Sequence, residues 1–142
     1  MTARNGTAEW KGDVRTGSGT VVVGGGVFRG PYSYGSRLGE DAGTNPEQLI
    51  AAAHAACFTM GLANQLGEAG HPPKSLHTDA NVHLRLLDGA LTITRIDLTT
   101  RGRVEGIDQQ RFEALAEEAK RSCVVSRALA AVPEITLTAS LE

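Results

Sequence analysis

The sequence predicts an α+β fold with mainly antiparallel strands, and three features of its apolar pattern indicate that class. Short β-prone segments come first, one long apolar segment of helix-forming residues follows, and alternating strands with a second helix make up the rest. The predicted order is therefore three strands, long helix, two strands, helix and strand. Strands and helices segregated in this way are typical of α+β proteins rather than of parallel α/β folds.

Three short strands are predicted near the N-terminus, at Thr7–Lys11, Thr20–Val23 and Val27–Arg29. Each contains residues that favour strands, and glycine-rich segments separate them. The run Gly24-Gly25-Gly26 is interpreted as the turn between the last two strands. A phosphate-binding loop is not indicated, because no helix with a P-loop lysine follows and the G-x-G-x-x-G pattern is absent.

A long loop and a long helix come next. The Pro31–Asn45 loop is rich in glycine and serine, and its length as a connection without structure of its own indicates a functional role. Thr44 or Asn45 can cap the helix that follows. The negative charge of Glu47 in the first turn interacts favourably with the helix dipole. The helix extends to about Leu66 and is apolar on nearly every side. We therefore expect a central helix that other structure encloses.

A β-hairpin is predicted after the long helix. The apolar residues of its first strand alternate at Ala80, Val82, Leu84 and Leu86. Asp88-Gly89 is a strong signal for a two-residue turn. The alternation slips by one residue between Ile93 and Ile96 on the return strand, so we expect a bulge there.

The C-terminal part predicts helices and a last strand. Asp108 can cap a helix with one apolar face. The residues of that face are Phe112, Leu115, Ala116 and Ala119. A further helical stretch is predicted to carry Cys123, and residues 135–141 alternate as a strand.

Length and composition indicate a single domain over residues 1–142. The formal charge is -2, and no Lys/Arg tract or set of aromatics interleaved with basic residues is present, so nucleic acid is not an expected partner. The N-terminal segment has no apolar leader-like core, and no run of about 18 apolar residues is free of polar interruption. We therefore expect no membrane partner and a cytoplasmic location.

The two cysteines, Cys57 and Cys123, lie far apart in the sequence. In a reducing cytosol a purely structural disulfide is disfavoured, which leaves inert packing, metal ligation or thiol chemistry. Free cysteines are often buried as small apolar residues, so inert packing is the plain interpretation. The choice between these alternatives depends on the residues around Cys57.

Arg37 and Glu47 are the candidates for activating Cys57. A thiol reacts as the thiolate, and burial in an apolar helix opposes that charged form. One guanidinium about 4 Å away, at an effective dielectric constant of about 20, contributes roughly 4 kcal/mol, against about 1.4 kcal/mol per pKa unit. Arg37 lies in the preceding loop, and Glu47 can hold its guanidinium in a fork geometry.

The spacing of Glu47 and Cys57 places a condition on this site. Ten residues of continuous helix span about 15 Å, so Arg37 can hardly touch both side chains of one straight helix. Either Glu47 lies in a bent entry segment, or Arg37 and Glu47 of one chain face Cys57 of another. The apolar surface of the long helix favours the second alternative and predicts a homodimer with sites at its interface.

The segment GTNPEQLIAAAHAACF and the motif SCVVS around Cys123 resemble the OsmC/Ohr family of thiol peroxidases. The resemblance extends over nearly the whole chain, through EWKGD, SRLGEDAGTNPE, LGEAG, GID and EITL. It implies an OsmC-like fold, in which antiparallel sheets pack around a long central helix in an intertwined homodimer. It also implies a cysteine-based peroxidase that prefers organic hydroperoxides to hydrogen peroxide and acts in stress defence.

The resemblance also implies roles for single residues. Cys57 corresponds to the peroxidatic cysteine, Cys123 to the resolving cysteine, Arg37 to the activating arginine and Glu47 to its carboxylate partner. Cys57 would become a sulfenic acid and then form a disulfide with Cys123. A lipoyl-type or other dithiol would restore the thiols, and no cofactor or metal is implied.

Other interpretations of these residues predict different properties. His54 lies three residues before Cys57 and could ligate zinc with both cysteines or act as the base of a hydrolase dyad, although helix packing is the plainer interpretation. Ser126 forms C-x-x-S with Cys123, which local hydrogen bonding explains equally well. A non-catalytic dimeric binding protein would show slow, equal alkylation of both cysteines and no consumption of peroxide.

Overall fold

The computed structural model describes all 142 residues, from Met1 to Glu142. It confirms the α+β class, with two three-stranded sheets and helices between their strands. The chain divides into two compact units, Met1–Leu49 and Ile50–Glu142, and each is described by itself. The interpretation of residues 1–142 as one domain stays a prediction.

The first unit contains an antiparallel sheet in the order β1 (Gly6–Lys11), β2 (Ser18–Val23) and β3 (Phe28–Tyr32). These strands confirm the three predicted ones. Gly24–Gly26 forms a short 3₁₀ turn between β2 and β3, and its residues have φ values of 57°, 68° and 110°. Glycine adopts these left-handed angles without a steric penalty, which confirms the interpretation of this run as a turn.

The segment between β3 and the long helix is more ordered than the sequence predicted. It contains a short helix, α1 (Tyr34–Leu38), with Ser33 as its cap. The backbone N–H of Ser36 donates to Ser33 Oγ at 3.0 Å, and the backbone N–H of Ser33 donates to Ser36 Oγ at 2.9 Å. The expectation of a connection without structure of its own was therefore wrong, because this reciprocal capping box stabilises a helical turn.

The long helix, α2, covers Pro46–Glu68. Its start is confirmed by Asn45, whose Oδ1 accepts a hydrogen bond from the backbone N–H of Gln48 at 2.8 Å. At its end, the backbone N–H of His71 donates to Leu66 O at 2.8 Å, and Gly70 has φ 85°. Backbone bonds of this kind with a left-handed glycine are a common way for a helix to terminate.

Only one side of α2 is buried within the second unit. The buried residues follow one another at four-residue spacing and are His54, Phe58, Leu62 and Leu66. Its other side exposes small and apolar residues, which are Ala52, Ala53, Ala56 and Met60. The expectation that other structure encloses this helix on every side was therefore wrong within one chain.

The exposed side of α2 also bears on the membrane prediction. By length and composition α2 meets the criteria for a membrane-spanning helix. In this structure 22% of its most apolar window is buried. The core helix of a protein in water can meet the same two criteria. The expectation that this chain has no membrane partner stays a prediction.

The second unit contains a three-stranded sheet. Its strands are β4 (Ser75–Leu87), β5 (Ala90–Arg103) and β6 (Glu134–Leu141). The β4–β5 hairpin turns at Asp88 and Gly89, which have φ values of 49° and 79°, as a two-residue type I′ turn requires. The register shifts because His83 pairs with Arg95 whereas Leu84 pairs with Ile93. Thr94 is therefore the extra residue of the expected bulge.

The last strand and the helix before it complete the core of this unit. The helix α3 (Gln109–Ser122) begins after Asp108, whose carboxylate accepts from the backbone N–H of Arg111 at 2.8 Å. Its buried residues confirm the predicted apolar face and are Phe112, Leu115, Ala116 and Ala119. The strand β6 pairs with β5 in parallel, so it is the exception to the expected antiparallel pairing.

Candidate functional site

Arg37 and Glu47 form a two-point ion pair in the first unit. Arg37 Nη2 lies 2.7 Å from Glu47 Oε1, and Arg37 Nε lies 3.1 Å from Oε1 and 3.3 Å from Oε2. This contact is the fork geometry that the sequence predicted. Because Nε and Nη2 both face the carboxylate, the plane of the guanidinium is fixed while Nη1 remains for another acceptor.

Local structure positions both partners of this pair. Arg37 lies in the last turn of α1, and Glu47 lies in the first turn of α2. The Glu47 side chain is only 11% exposed, whereas that of Arg37 is 41% exposed. A carboxylate at a helix N-terminus interacts favourably with the helix dipole, which compensates part of the cost of its burial. Glu47 lies within the continuous helix α2, so it is not part of an irregular entry segment before that helix.

Cys57 and Cys123 come together in the second unit as free thiols. Cys57 is half-buried on α2, and Cys123 is 4% exposed. Cys57 packs against the apolar cluster that contains Cys123, and the Cys57 thiol is one of the groups that lower the pKa of Cys123. Two thiols that lie far apart in sequence thus share one site, as a peroxidatic and resolving pair would require.

Cys123 lies between two helices rather than inside one. Its backbone angles are φ -56° and ψ 124°, and it separates α3 from a second short helix, α4 (Val124–Ala128). The expectation that a helical stretch carries Cys123 was therefore wrong. The backbone N–H of Cys123 still donates to Ala119 O at 2.9 Å, so the residue ends α3 and its side chain caps α4.

The environment of Cys123 favours its thiolate. Burial alone raises the pKa of this thiol. The backbone N–H and the hydroxyl of Ser126, the Cys57 thiol and the backbone of Val125 together outweigh that effect, so the pKa lies below its ordinary value of 9.0. None of these contributions comes from a charged side chain. Neutral donors therefore set the acidity of this cysteine.

His54 and Ser126 form a buried polar pair beside the two cysteines. Their side chains are hydrogen-bonded at 2.7 Å, from His54 Nε2 to Ser126 Oγ, although 72 residues separate them in sequence. The other ring nitrogen of His54, Nδ1, is buried without a partner. Because neither nitrogen bonds to Cys57, the alternative of a His54–Cys57 hydrolase dyad has no support in the hydrogen bonds.

The sequence interpretation of His54 and Ser126 was incomplete. The hydroxyl of Ser126 does not make the local hydrogen bond expected of this serine; only its backbone N–H bonds locally, and it donates to Cys123 Sγ at 3.4 Å. Its hydroxyl bond to His54, however, was not foreseen. The only signal was the position of each residue three places from a cysteine, which is common by chance. The chain contains no group of three His, Cys, Asp or Glu side chains arranged to hold a metal ion.

Comparison with known proteins identifies the family. The family description "OsmC-like protein" matches residues 39–138. The chain belongs to the OsmC-like protein family. It is 45% identical to the protein named peroxiredoxin OsmC of Escherichia coli K12 over 140 residues, which are 98% of this chain and 96% of that protein. This membership confirms the family resemblance predicted from the motifs around Cys57 and Cys123.

Other members of the OsmC-like family extend the comparison. The organic hydroperoxide resistance protein OhrA of Bacillus subtilis is 34% identical over 94 residues, which are 66% of this chain and 65% of that protein. A solved OsmC-like protein of unknown function from Vibrio cholerae has a TM-score of 0.77 and 16% identity, and the match covers 98% of this chain and 99% of that one. The match to this solved structure confirms the OsmC-like fold.

Proposed function

We propose that this chain, a thiol-dependent peroxidase of the OsmC-like family, reduces organic hydroperoxides to alcohols with Cys57 as its nucleophile. The observation that carries this proposal is the pair of free thiols in the second unit, where Cys57 packs against the apolar cluster that contains Cys123. Relatives named peroxiredoxin OsmC and organic hydroperoxide resistance protein support the substrate class. Hydrogen peroxide is then the poorer substrate, and oxidative and osmotic stress is the setting.

The first step of the reaction occurs at Cys57. Its thiolate attacks the outer oxygen of ROOH, the O–O bond breaks, and the alkoxide leaves as ROH after taking up a proton. The sulfur of Cys57 is oxidised to a sulfenic acid, and the peroxide is reduced by two electrons. Cys57 is half-buried rather than fully buried within one chain.

Arg37 and Glu47 serve that first step in this proposal. A guanidinium stabilises both the thiolate and the negative charge that develops on the peroxide oxygens. Glu47 fixes the orientation of Arg37 by the two-point contact, which leaves Nη1 directed away from the carboxylate. Because α2 is regular helix from Pro46 onwards, we propose that Arg37 and Glu47 of one chain face Cys57 of a partner chain.

The second step forms a disulfide. Cys123 attacks the sulfur of the Cys57 sulfenic acid, the S–OH bond breaks, and water leaves. The disulfide protects Cys57 from further oxidation. A lipoyl-type or other dithiol then reduces it by thiol–disulfide exchange and restores both thiols. No step requires a metal or an organic cofactor.

A homodimer and a cytoplasmic location complete the proposal. The uncovered side of α2 exposes Met60 at 79% and is continuous with a groove whose lining includes Ala56, Ala63 and Leu76. A second copy would remove this apolar surface from water, which is the usual driving force for such an interface. Neither nucleic acid nor a membrane has a part in the reaction.

A single-turnover experiment tests the proposed function. The reduced protein is mixed with one equivalent of cumene hydroperoxide, and thiols, sulfenic acid and disulfide are followed by mass spectrometry. We expect a Cys57–Cys123 disulfide in the native chain, a trapped sulfenic acid in Cys123→Ser, and no reaction in Cys57→Ser. If Cys57→Ser consumed peroxide as fast as the native chain, the assigned nucleophile would be wrong. Equal, slow alkylation of both thiols without peroxide consumption would favour a non-catalytic binding protein.

A further inference from the structure

The hydrogen-bonded pair of His54 and Ser126 has no part in the reaction described above. His54 is fully buried and Ser126 is 9% exposed, in a unit whose apolar core includes Phe58 and Leu62. A buried polar group costs free energy unless it is paired, and His54 Nδ1 lacks any partner. An apolar residue would fill this position at lower cost, so the imidazole requires an explanation other than packing.

Ser126 connects His54 to Cys123. Its hydroxyl bonds to His54 Nε2 at 2.7 Å, while its backbone N–H lies 3.4 Å from Cys123 Sγ. The same hydroxyl contributes to lowering the pKa of the Cys123 thiol. Since Cys123 lies in non-helical backbone between α3 and α4, Ser126 is the residue that fixes the direction of its side chain. Cys57 packs against the apolar cluster to which Cys123 belongs.

We propose that His54 and Ser126 are positioning residues for Cys123, which orient its sulfur and remove its proton as the disulfide forms. This inference rests on the proposed function. The Cys123 thiol passes its proton to Ser126 Oγ, whose own proton moves to His54 Nε2. The Cys123 sulfur forms the S–S bond as the S–OH bond of Cys57 breaks. The departing hydroxide takes up one proton from solvent to leave as water, and His54 returns the proton it received to solvent. Cys123 is oxidised and the Cys57 sulfur is reduced, so the electrons balance.

The protonation state of His54 suits this role. Burial lowers the pKa of His54, so the imidazole is neutral at neutral pH and has one ring nitrogen free to accept a proton. Acceptance at Nε2 requires the tautomer that carries hydrogen on Nδ1. The titratable groups that face Cys123 are Cys57 and, through Ser126, His54. A pH profile of disulfide formation therefore reports on a small, defined set of groups.

The first test follows disulfide formation after rapid oxidation with one equivalent of cumene hydroperoxide, from pH 5 to 9. We expect Ser126→Ala to slow disulfide formation relative to sulfenic acid formation by about tenfold or more, and Ser126→Thr to restore much of the rate. His54→Gln keeps a hydrogen-bonding group but cannot take up a proton, so the rate should become more strongly dependent on pH. Ser122→Ala, at an exposed serine of α3, is the matched control and should behave as the native chain.

The second test does not depend on peroxidase activity. In a Cys57→Ser background, the thiolate of Cys123 is titrated by its absorbance near 240 nm. Ser126→Ala should move the midpoint to higher pH, and Ser126→Thr should reverse the shift. An unmoved midpoint together with an unchanged pH profile in His54→Gln would overturn the inference. If the native chain formed no sulfenic acid while the midpoint still moved, the proposed function would fail and the pair's control of Cys123 would stand.

Discussion

Arg37 and Glu47 meet through two guanidinium nitrogens and two carboxylate oxygens, with the shortest contact, from Nη2 to Oε1, at 2.7 Å. The contact joins the last turn of α1 to the first turn of α2. It holds the guanidinium in one plane, as the planar fork of arginine allows and the ammonium of lysine does not. This geometry leads to separate expectations for the two partners.

Replacement of Arg37 tests the role of the guanidinium in peroxide reduction. We expect Arg37→Ala to slow the oxidation of Cys57 by an organic hydroperoxide by about 100-fold, because a donor that stabilises transition-state charge is lost. Arg37→Lys keeps the charge but not the two-point contact, so it should recover only part of the rate. Stopped-flow oxidation measures this rate. Arg4→Ala, at an exposed arginine, is the matched control, and an equal loss in that variant would refute a specific role.

Replacement of Glu47 tests whether the carboxylate acts through Arg37. We expect Glu47→Gln to slow the same oxidation by about tenfold, less than Arg37→Ala does, because the guanidinium remains but is no longer fixed by a charged partner. A double-mutant cycle of Glu47→Gln with Arg37→Ala measures the coupling. Additive effects of the two changes would contradict a positioning role for Glu47.

The local features of this chain could be predicted from its sequence because short-range interactions determine them. Asn45 caps α2, Asp108 caps α3, and Asp88-Gly89 forms the hairpin turn, each as its residue type requires. The bulge at Thr94 follows from the slip in apolar alternation. The contact of Arg37 with Glu47 could be predicted from residue chemistry, since Arg37 lies in the segment that leads into α2 and Glu47 lies in the first turn of that helix.

Long-range features could not be predicted in the same way. The hydrogen bond of His54 with Ser126 spans 72 residues, and neither residue shows a pattern that marks it. The parallel pairing of β6 depends on how α3 crosses the sheet, which apolar periodicity does not specify. The one-sided burial of α2 could not be predicted either, because an apolar helix looks alike whether its own chain or a second copy covers it.

The uncovered side of α2 leads to an expectation about assembly. We expect Met60→Glu to convert a dimer into monomer at micromolar concentration, because the charge would have to be buried in the proposed apolar interface. Analytical ultracentrifugation measures the change. Val14→Glu, at a similarly exposed apolar residue in the first unit, is the control and should leave the dimer intact. A native chain that sediments as a monomer would refute the proposed assembly.

Asp97 gives an expectation for stability that is independent of the site. Its carboxylate accepts hydrogen bonds from Thr136 on β6, from Arg95 on β5 and from His83 on β4, and so connects three strands. The bond from Thr136, followed by that from Arg95, holds the pKa of Asp97 well below its ordinary value of 3.8, against the opposing effect of burial. Ionised Asp97 therefore stabilises the folded chain.

The sign of this effect follows from linkage. A carboxyl group with a lowered pKa in the folded state contributes its full stability above the unfolded value of 3.8, and that contribution is lost as the pH falls towards the folded pKa. We expect Asp97→Asn to lower the free energy of unfolding by about 1–3 kcal/mol at pH 7, and by less below about pH 4. Urea unfolding at one protein concentration measures both values. Asp79→Asn is the control. A loss of unfolding free energy in Asp97→Asn that was larger in acid than at pH 7 would contradict the expectation.

The most direct test of the peroxidase site is the pH dependence of alkylation at Cys57, measured with iodoacetamide in Cys123→Ser and in Cys123→Ser combined with Arg37→Ala. Removal of Cys123 makes Cys57 the only thiol in the chain. If Arg37, held by Glu47, stabilises the Cys57 thiolate, the midpoint should move to higher pH by about one unit or more when Arg37 is removed. Superimposable curves for the two variants would contradict that role.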